Sequence, residues 1–421
     1  MVRLLFRLLL VAVLLIGIAT TGTLAATRLR RAAPTLTPTL TSTSLWAAAP
    51  GTPTAIPPPT QGSLAVEAVA GNAVTPLVSG DAQTVRPIAS VAKTMTALVI
   101  LEVHPLLPAQ AGPTLTMTRQ DVDDYRRIAA SGGSFAPVTL GERLSERDLL
   151  LGLMLPSANN LALTAARWID GSVGAFVHRL NARAAALRML HSHFADPDGL
   201  DSATTSTAAD LVLLGEAVVA DDALLSVVST SVATLPDGTV VNNLDLLLGD
   251  DPGWLGIKTG WTPDAAGCLL FAARRTLGPG APSLTMVGAV LGQPPDGNVD
   301  LAHPELGGAF SVARAAVDTA FSNFRAVRVG PGTIPVSGEV FGAWGTASAL
   351  HVAGADSFAL LRLGDTLSVE ARQRSLLVPR AAGALAGTVS VSLRGSALGS
   401  WTLATDGQLE EPSPWWKLLN G

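Results

Sequence analysis

Cysteine occurs once in these 421 residues, at Cys268. An intramolecular disulfide is therefore excluded, and so are thiol-rich metal sites such as zinc ribbons. Charge is also scarce. Only 14% of residues are Asp, Glu, Lys or Arg, the formal net charge is −5, and no basic tract is present. Nucleic acid has no electrostatic footprint to bind here. Internal repeats are absent. Lysine is the rarest cation: of 28 Lys+Arg residues three are lysine, namely Lys93, Lys258 and Lys417. The two cations are not interchangeable. A desolvated ammonium can lose its proton and act as a base, whereas a guanidinium in practice does not. A GC-rich codon bias accounts for the scarcity but not for the placement. Lys93 closes Ser90-Val91-Ala92-Lys93, and Lys258 opens Lys258-Thr259-Gly260.

What is present is enough for more than one core. Hydrophobic residues make up 48% of the chain, and its length fits two or three domains. Arg3 and Arg7 precede an apolar run from Leu8 to Ile18, followed by mostly small residues to Ala26 and then Arg28, Arg30 and Arg31. The run has the length of a signal-peptide core, with Thr23-Leu24-Ala25 as a small-residue cleavage site; extended to Ala26 it is long enough for an uncleaved anchor. Residues 1–26 are read as one or the other, and both export the chain. Residues 27–62, rich in Thr, Pro, Ala and Ser, read as an extended linker with no core of its own.

Globular sequence begins near Ser63. Leu64–Ala70 and Ala73–Val78 read as a strand pair turning at Gly71-Asn72. Ser90 opens a helix to Val103 with Met95, Leu98, Val99 and Leu101 at helical spacing. Helical patterns continue over Ser145–Leu155, Asn160–Ile169, Val173–Leu190 and Thr207–Val219, the last opened by Thr207 with Asp210. Strands follow at Leu255–Lys258, Cys268–Arg274 and Leu284–Leu291, the latter two forming a hairpin through Gly278-Pro279-Gly280. A helix over Leu306–Phe321 closes the unit. A sheet with an inserted helical block is an α+β domain, residues 63–324. Residues 325–421 carry short Val- and Leu-rich runs, such as Thr388–Leu393 and Trp401–Ala404, and read as a smaller all-β domain.

Three short motifs carry chemistry. Ser90 and Lys93 are three apart and share a helix face, so hydroxyl and amine become neighbours. A buried lysine has a lowered pKa and can take the serine proton. Ser90 also offers its own backbone N–H to a developing oxyanion. Ser157-Ala158-Asn159 follows Pro156 at a break between apolar helices, where a cavity-facing serine can relay protons and the asparagine can hold a substrate amide. Lys258-Thr259-Gly260 ends a strand. It supplies a cation, a hydroxyl for a carboxylate, and a glycine against which a substrate backbone can lie, with the Trp261 N–H as second oxyanion donor. Each motif alone also describes something ordinary: a capping serine with a chance lysine, an inter-helix turn, a strand-end turn. Their order, each on the element its chemistry needs, is what makes the set specific.

With these motifs and their flanks the sequence resembles the serine-type D-alanyl-D-alanine carboxypeptidases, the low-molecular-mass penicillin-binding proteins. Ala89–Leu98, Leu149–Asn160, Phe194-Ala195-Asp196-Pro197-Asp198-Gly199-Leu200, Ser206-Thr207-Ala208 and Gly256–Gly267 are all similar to family segments, over roughly residues 63–324; the tail is similar, more weakly, to the family's C-terminal β-rich domain. The resemblance implies a penicillin-binding-protein/β-lactamase-like serine transpeptidase fold. It implies catalytic Ser90 (nucleophile), Lys93 (its base), Ser157 and Asn159, and substrate-binding Lys258, Thr259, Gly260 and Trp261. The implied reaction removes the terminal D-alanine of a peptidoglycan stem peptide through an acyl-enzyme on Ser90, with β-lactams as covalent inhibitors. It calls for no cofactor and no metal, and places the enzyme at the extracytoplasmic face of the membrane or in the cell wall. The N-terminal segment reaches the membrane if uncleaved.

Two positions depart from the family pattern. The family carries an arginine after the hairpin that follows the Lys-Thr-Gly strand; residues 293–305 have none. Lys258 and Thr259 then suffice alone, or Arg274 or Arg275 substitutes. Ala158 stands where glycine is common. A D,D-endopeptidase with the same site, a β-lactamase-like hydrolase and an inactive tethered cell-wall-binding module are the alternatives. Three intact motifs argue against the module. Glu216, the one glutamate between Asn159 and Lys258, lies past the place a deacylating glutamate would need. His191-Ser192-His193 lacks a clear third metal ligand. Cys268 reads as a small buried hydrophobe, and Trp415–Leu419 as packed onto the β domain rather than a membrane surface.

Overall fold

Burial on both faces drives the central sheet. Along Ala266–Thr276, Cys268, Leu270 and Ala272 point one way and Leu269, Phe271 and Ala273 the other; all six are buried. A strand apolar on both faces must be covered on both. The computed structural model, which describes residues 1–70, 73–297 and 303–420, places this strand in a five-stranded antiparallel sheet. Its members are β1 (Ser63–Ala70), β2 (Ala73–Gly80), β3 (Trp254–Thr262), β4 (Ala266–Thr276) and β5 (Ser283–Gln293), in the order β3-β4-β5-β1-β2. The expected β4–β5 hairpin forms with Thr276 opposite Ser283. In the β1–β2 ladder Ala70 pairs Ala73; the expected Gly71-Asn72 turn lies outside the described residues.

Among the helices are α1 (Lys93–Val103), α2 (Glu146–Met154), α3 (Asn159–Asp170), α4 (Ala208–Ala220) and α5 (Gly307–Ser322). α4 covers one face. A Cβ on its Gly215 would stand 2.6 Å from Val287 and 3.1 Å from Leu270, so glycine lets helix and sheet approach closely. α5 packs against β4 and β5, with Ala309 beneath Gly267. Behind α4 lies the helical block, with α1 at its centre. Every residue from Lys93 to Leu101 is buried, which is why α1 shows no polar stripe. Met95, Leu98, Ile100 and Leu101 each contribute roughly 1.5–3 kcal/mol of burial.

A second device fixes the loop that will border the cleft. The helix Arg119–Ala130 opens with a capping box between Thr118 and Asp121. Arg167 of α3 then clamps Asp121 at 2.7 Å and Asp124 at 2.8 Å. Charge-assisted pairs this sheltered are the strong kind. The chain leaving that helix, Ser131-Gly132-Gly133-Ser134, is thereby held beside α3, where the Asn159 N–H donates to the Ser134 carbonyl at 2.9 Å.

One buried carboxyl has no structural partner. Glu146, inside the Ser145/Asp148 capping box, is fully buried, and neither oxygen meets a donor among the described residues. Burial pushes its pKa up to about 7. Its folded-state pKa thus exceeds the unfolded value of 4.5, so stability is lost as pH rises from the unfolded value through the folded one. Glu146→Gln removes this pH dependence. The gap in melting temperature between the variant and the parent should widen in the variant's favour from pH 5 to pH 8. The change is on the order of 1–2 kcal/mol. A gap that stays constant with pH rules out a buried titrating Glu146.

The chain divides into two units, Pro53–Phe324 and Met1–Thr52 with Arg325–Gly421. The second is built on a seven-stranded sheet. Its order is Thr39–Ser42, Val336–Phe341, Ala347–Ala353, Ser396–Thr405, Leu385–Leu393, Leu367–Gln373 and Leu45–Trp46. This corrects the reading of residues 27–62 as a linker without a core. Thr39 pairs Glu339 and Trp46 pairs Leu367, so the Thr- and Pro-rich segment supplies both edge strands. Leu36 and Ala49 are buried with them. An edge strand gains its backbone hydrogen bonds from the sheet it joins and needs few apolar side chains of its own; threonine suits that role. Residues 53–62 run with the first unit, where the Thr54 N–H meets Asn323 Oδ1 at 2.6 Å.

The N-terminal segment is one helix, Val2–Arg30, long and apolar enough to cross a membrane. The C-terminal helix Pro414–Asn420 sets Trp416 edge-on against Trp344 of the β unit at 5.5 Å, while Trp415 and Leu419 stay exposed.

Candidate active site

Ser90 does not open α1 directly. It lies in a 3₁₀ turn, Ala89–Ala92, and the α-helix begins at Lys93. Ala89 holds a positive φ of 47°, a strained conformation for a residue with a Cβ. Two glycines press on this turn. A Cβ on Gly260 of β3 would stand 2.9 Å from the Ile88 carbonyl oxygen and 3.0 Å from the Ser90 nitrogen. A Cβ on Gly199, at φ +79°, would overlap the Ala89 carbonyl. The strand and the 196–200 loop therefore grip the serine turn from two sides, and only glycine allows either contact.

Lys93 is buried beneath the serine. Its Nζ donates to Ser90 Oγ at 2.7 Å, to Asn159 Oδ1 at 2.6 Å and to the Asp198 carbonyl at 2.9 Å. Burial pushes its pKa down to about 8, against the opposing attraction of Asp198 and Asp196. Burial pushes the Asp198 carboxyl up to about 7. The low-dielectric site thus disfavours charge on both groups, lowering the proton affinity of the amine and raising that of the carboxyl.

Ser157 follows α2 with φ +64°. Its Oγ is buried and has no hydrogen-bond partner among the described residues. Lys258 is buried as well. Among the described residues its ammonium makes one hydrogen bond, a long one to Thr259 Oγ1, 3.5 Å. Burial and the repulsion of Lys93 push its pKa down to about 7, with Asp245 opposing. Ser90, Ser157, Asn159, Thr259, Gly260 and Trp261 all line one cleft of about 440 Å³, together with residues 131–134, Leu200, Leu244, His303 and Glu305. All eight expected site residues therefore gather here, with Lys93 and Lys258 beneath the surface. Ser157 Oγ and the Lys258 ammonium are thus the polar groups of the site with hydrogen-bonding capacity to spare.

The pattern of the D-alanyl-D-alanine carboxypeptidase family, peptidase S11, matches residues 59–281. The chain belongs to this family. Its members are serine-type hydrolases. The D-alanyl-D-alanine carboxypeptidase of a Streptomyces species, strain K15, is 32% identical over 283 residues, 63% of this chain and 92% of that protein. The D-alanyl-D-alanine endopeptidase of Escherichia coli is 29% identical over 46% of this chain and 62% of its own. The crystal structure of the Streptomyces K15 DD-transpeptidase superposes with a TM-score of 0.51 at 26% identity, covering 63% of this chain and all of that one. A penicillin-binding-protein homologue from Mycobacterium tuberculosis gives 0.53 at 28% identity, over 65% and 96%. The expected α+β, penicillin-binding-protein-like fold is the one observed.

Within this carboxypeptidase-family site the sequence missed three features. Asp198, the Ser131–Ser134 loop and His303 all border the chemistry. Asp198 was visible only as part of a family-like stretch, and the loop only as small residues after a helix. One expectation fails outright: neither Arg274 nor Arg275 substitutes for the missing arginine. Both lie at the end of β4 remote from Gly267, which pairs Trp261. Arg275 is held by Asp251 at 2.6 Å and Asp318 at 2.9 Å, and Arg274 bonds Thr285. Glu216 is absent from the cleft lining, and its raised pKa traces to burial and the neighbouring Glu67. Cys268 is buried with its thiol pushed up to about 12 by burial, so it is inert. Among the described residues no three His, Cys, Asp or Glu side chains gather to hold a metal.

Proposed function

We propose that this chain is an exported D,D-carboxypeptidase that removes the terminal D-alanine from peptidoglycan stem peptides through an acyl-enzyme on Ser90, and that β-lactams acylate the same serine. The observation that carries the reading is Lys93 Nζ, buried and 2.7 Å from Ser90 Oγ. A neutral Lys93 accepts the Ser90 proton as Oγ attacks the carbonyl of the penultimate D-alanine. The Ser90 and Trp261 N–H groups receive the oxyanion. The C–N bond breaks, and the leaving amine takes a proton from Lys93, by way of Ser157. Water then adds to the ester with the same base, and Ser90 is regenerated. Asn159 holds both the Lys93 amine and the substrate amide.

The two amines work against each other. Each disfavours the charge of the other, and burial disfavours both. A substrate carboxylate near Thr259 stabilises the charge on Lys258; a charged Lys258 in turn pushes the proton off Lys93. Binding thereby frees the base. The pH dependence follows in sign. Because Lys93 acts when deprotonated, the acylation rate by a fluorescent penicillin rises with pH through about 8. A rate independent of pH between 6 and 9 excludes Lys93 as the base.

Release of D-alanine from a pentapeptide, compared with cleavage of cross-linked dimers, tests the reaction itself. The proposal expects the pentapeptide to be preferred. A second cleft of about 740 Å³ adjoins the first, sharing Leu244 and His303 and lined by Phe135, Pro156 and Val241. Its room for a further peptide favours endopeptidase action as the second reading, and preferential cleavage of dimers would establish it. Export rests on the apolar Val2–Arg30 helix, as signal or anchor.

A further inference from the structure

A peptide ending in D-alanine brings a carboxylate into the cleft, and something on the cleft wall must meet it. Lys258 does not: it is buried and reaches the surface only through Thr259 Oγ1. Lys93 is committed to Ser90, Asn159 and Asp198. Among the described residues that line the cleft, only His303 can carry a positive charge. Residues 293–305 contain no lysine or arginine, and Arg274 and Arg275 are engaged elsewhere.

His303 is built for the role. It stands between the two clefts, lining both, and is partly exposed. The 3₁₀ turn Pro304–Leu306 follows it and leads straight into α5, so its backbone is anchored to the sheet-covering helix. Its Nδ1 lies 3.0 Å from Glu305 Oε1. With Nδ1–H donated to that carboxylate, Nε2 is the remaining polar atom of the ring, and no hydrogen bond engages it among the described residues. Asp245, the other carboxylate bordering the neighbouring cleft, is already taken by Trp254 Nε1 at 2.8 Å and the Leu247 N–H at 3.1 Å. It does not compete for the imidazole.

We infer that His303, oriented by Glu305, is the surface cation of this site and that it donates from Nε2 to the C-terminal carboxylate of the peptide, beside Thr259. The inference rests on the carboxypeptidase reading for its ligand. With the carboxylate bound, the ring lies between two anions, Glu305 at Nδ1 and the peptide at Nε2. Histidine is shorter than arginine and offers one donor where a guanidinium offers a fork. It therefore supplies recognition of one carboxylate oxygen and leaves the other to Thr259.

The test separates binding from turnover. Ser90→Ala protein is titrated calorimetrically with an N-acyl D-Ala-D-Ala peptide and with the same peptide as its C-terminal carboxamide. The acid should bind about tenfold tighter, roughly the worth of one charge-assisted hydrogen bond. Adding His303→Gln should erase this preference by weakening the acid alone, and His303→Arg should keep it. The inference is overturned by a parent with no preference for the acid. It is equally overturned if the preference survives His303→Gln, if acid and amide weaken together, or if His303→Arg behaves like His303→Gln. Turnover by the unmutated enzyme is read in parallel. A wild type that releases no D-alanine, yet whose Ser90→Ala form shows a His303-dependent preference, sinks the carboxypeptidase reading and leaves this one standing. Turnover with a preference indifferent to His303 does the reverse.

Discussion

Ser90→Ala is expected to lose D-alanine release by ~10⁴-fold or more and to take no covalent label from a fluorescent penicillin, while folding normally. The size follows from the chemistry: the variant has no Oγ at position 90 to acylate, and Ser157, the other serine of the catalytic motifs, is not placed to take over. Ser157 Oγ is buried after α2, and Lys93 Nζ donates to Ser90, not to it. The retained fold follows from the hydrogen bonds. Lys93 keeps Asn159 Oδ1 and the Asp198 carbonyl as acceptors when Ser90 Oγ is gone, so the buried ammonium is not orphaned. Loss of label with an unchanged melting temperature is the expected pair of results. A labelled Ser90→Ala protein would remove Ser90 from the mechanism. Ser157→Ala makes the contrast. Its hydroxyl has no partner to lose in the resting site, so stability should hardly move. Activity should fall by roughly 10²–10³, the usual worth of a positioned proton-transfer group.

Much of this site was legible because local rules and global fold agree at it. The i, i+3 spacing of Ser90 and Lys93 needs only a turn of helix, and both 3₁₀ and α geometry provide one. Thr207 caps α4 as the Thr207/Asp210 spacing implied, accepting the Asp210 N–H at 3.0 Å. The hairpin β4–β5 was written in its Gly-Pro-Gly and its flanking apolar runs. What stayed hidden depends on distant pairing. Gly199 and Gly260 are separated by more than a domain element in sequence, yet both press on the Ala89–Ser90 turn; no local pattern announces that. The strand role of residues 39–46 required knowing that the C-terminal sheet has open edges. Arg275 looked available until the β3–β4 register set it at the wrong end of the strand. His303 fits no motif at all. It becomes functional only because α5 and the end of β3 meet at the same cleft.

Lys93→Met carries the second large effect, a loss of ~10³–10⁴ in D-alanine release with the fold retained. Methionine fills nearly the same volume, so the cost of a cavity is small. Removing a buried ammonium relieves desolvation and leaves Asn159 Oδ1 and the Asp198 carbonyl without their donor; these terms are opposite in sign and of similar size. Stability should accordingly change little. Lys93→Arg separates charge from proton chemistry. It keeps the cation but cannot surrender a proton, so it should be as inactive as Lys93→Met. Activity retained in the arginine variant would mean that Lys93 serves as a fixed charge. The double variant decides whether serine and lysine form one unit. With the hydroxyl gone the base has nothing to deprotonate, so Ser90→Ala with Lys93→Met should be no slower than Ser90→Ala alone. Multiplying losses would instead show two independent contributions, and the 2.7 Å contact between Nζ and Oγ would then be structural and not the step that makes the nucleophile.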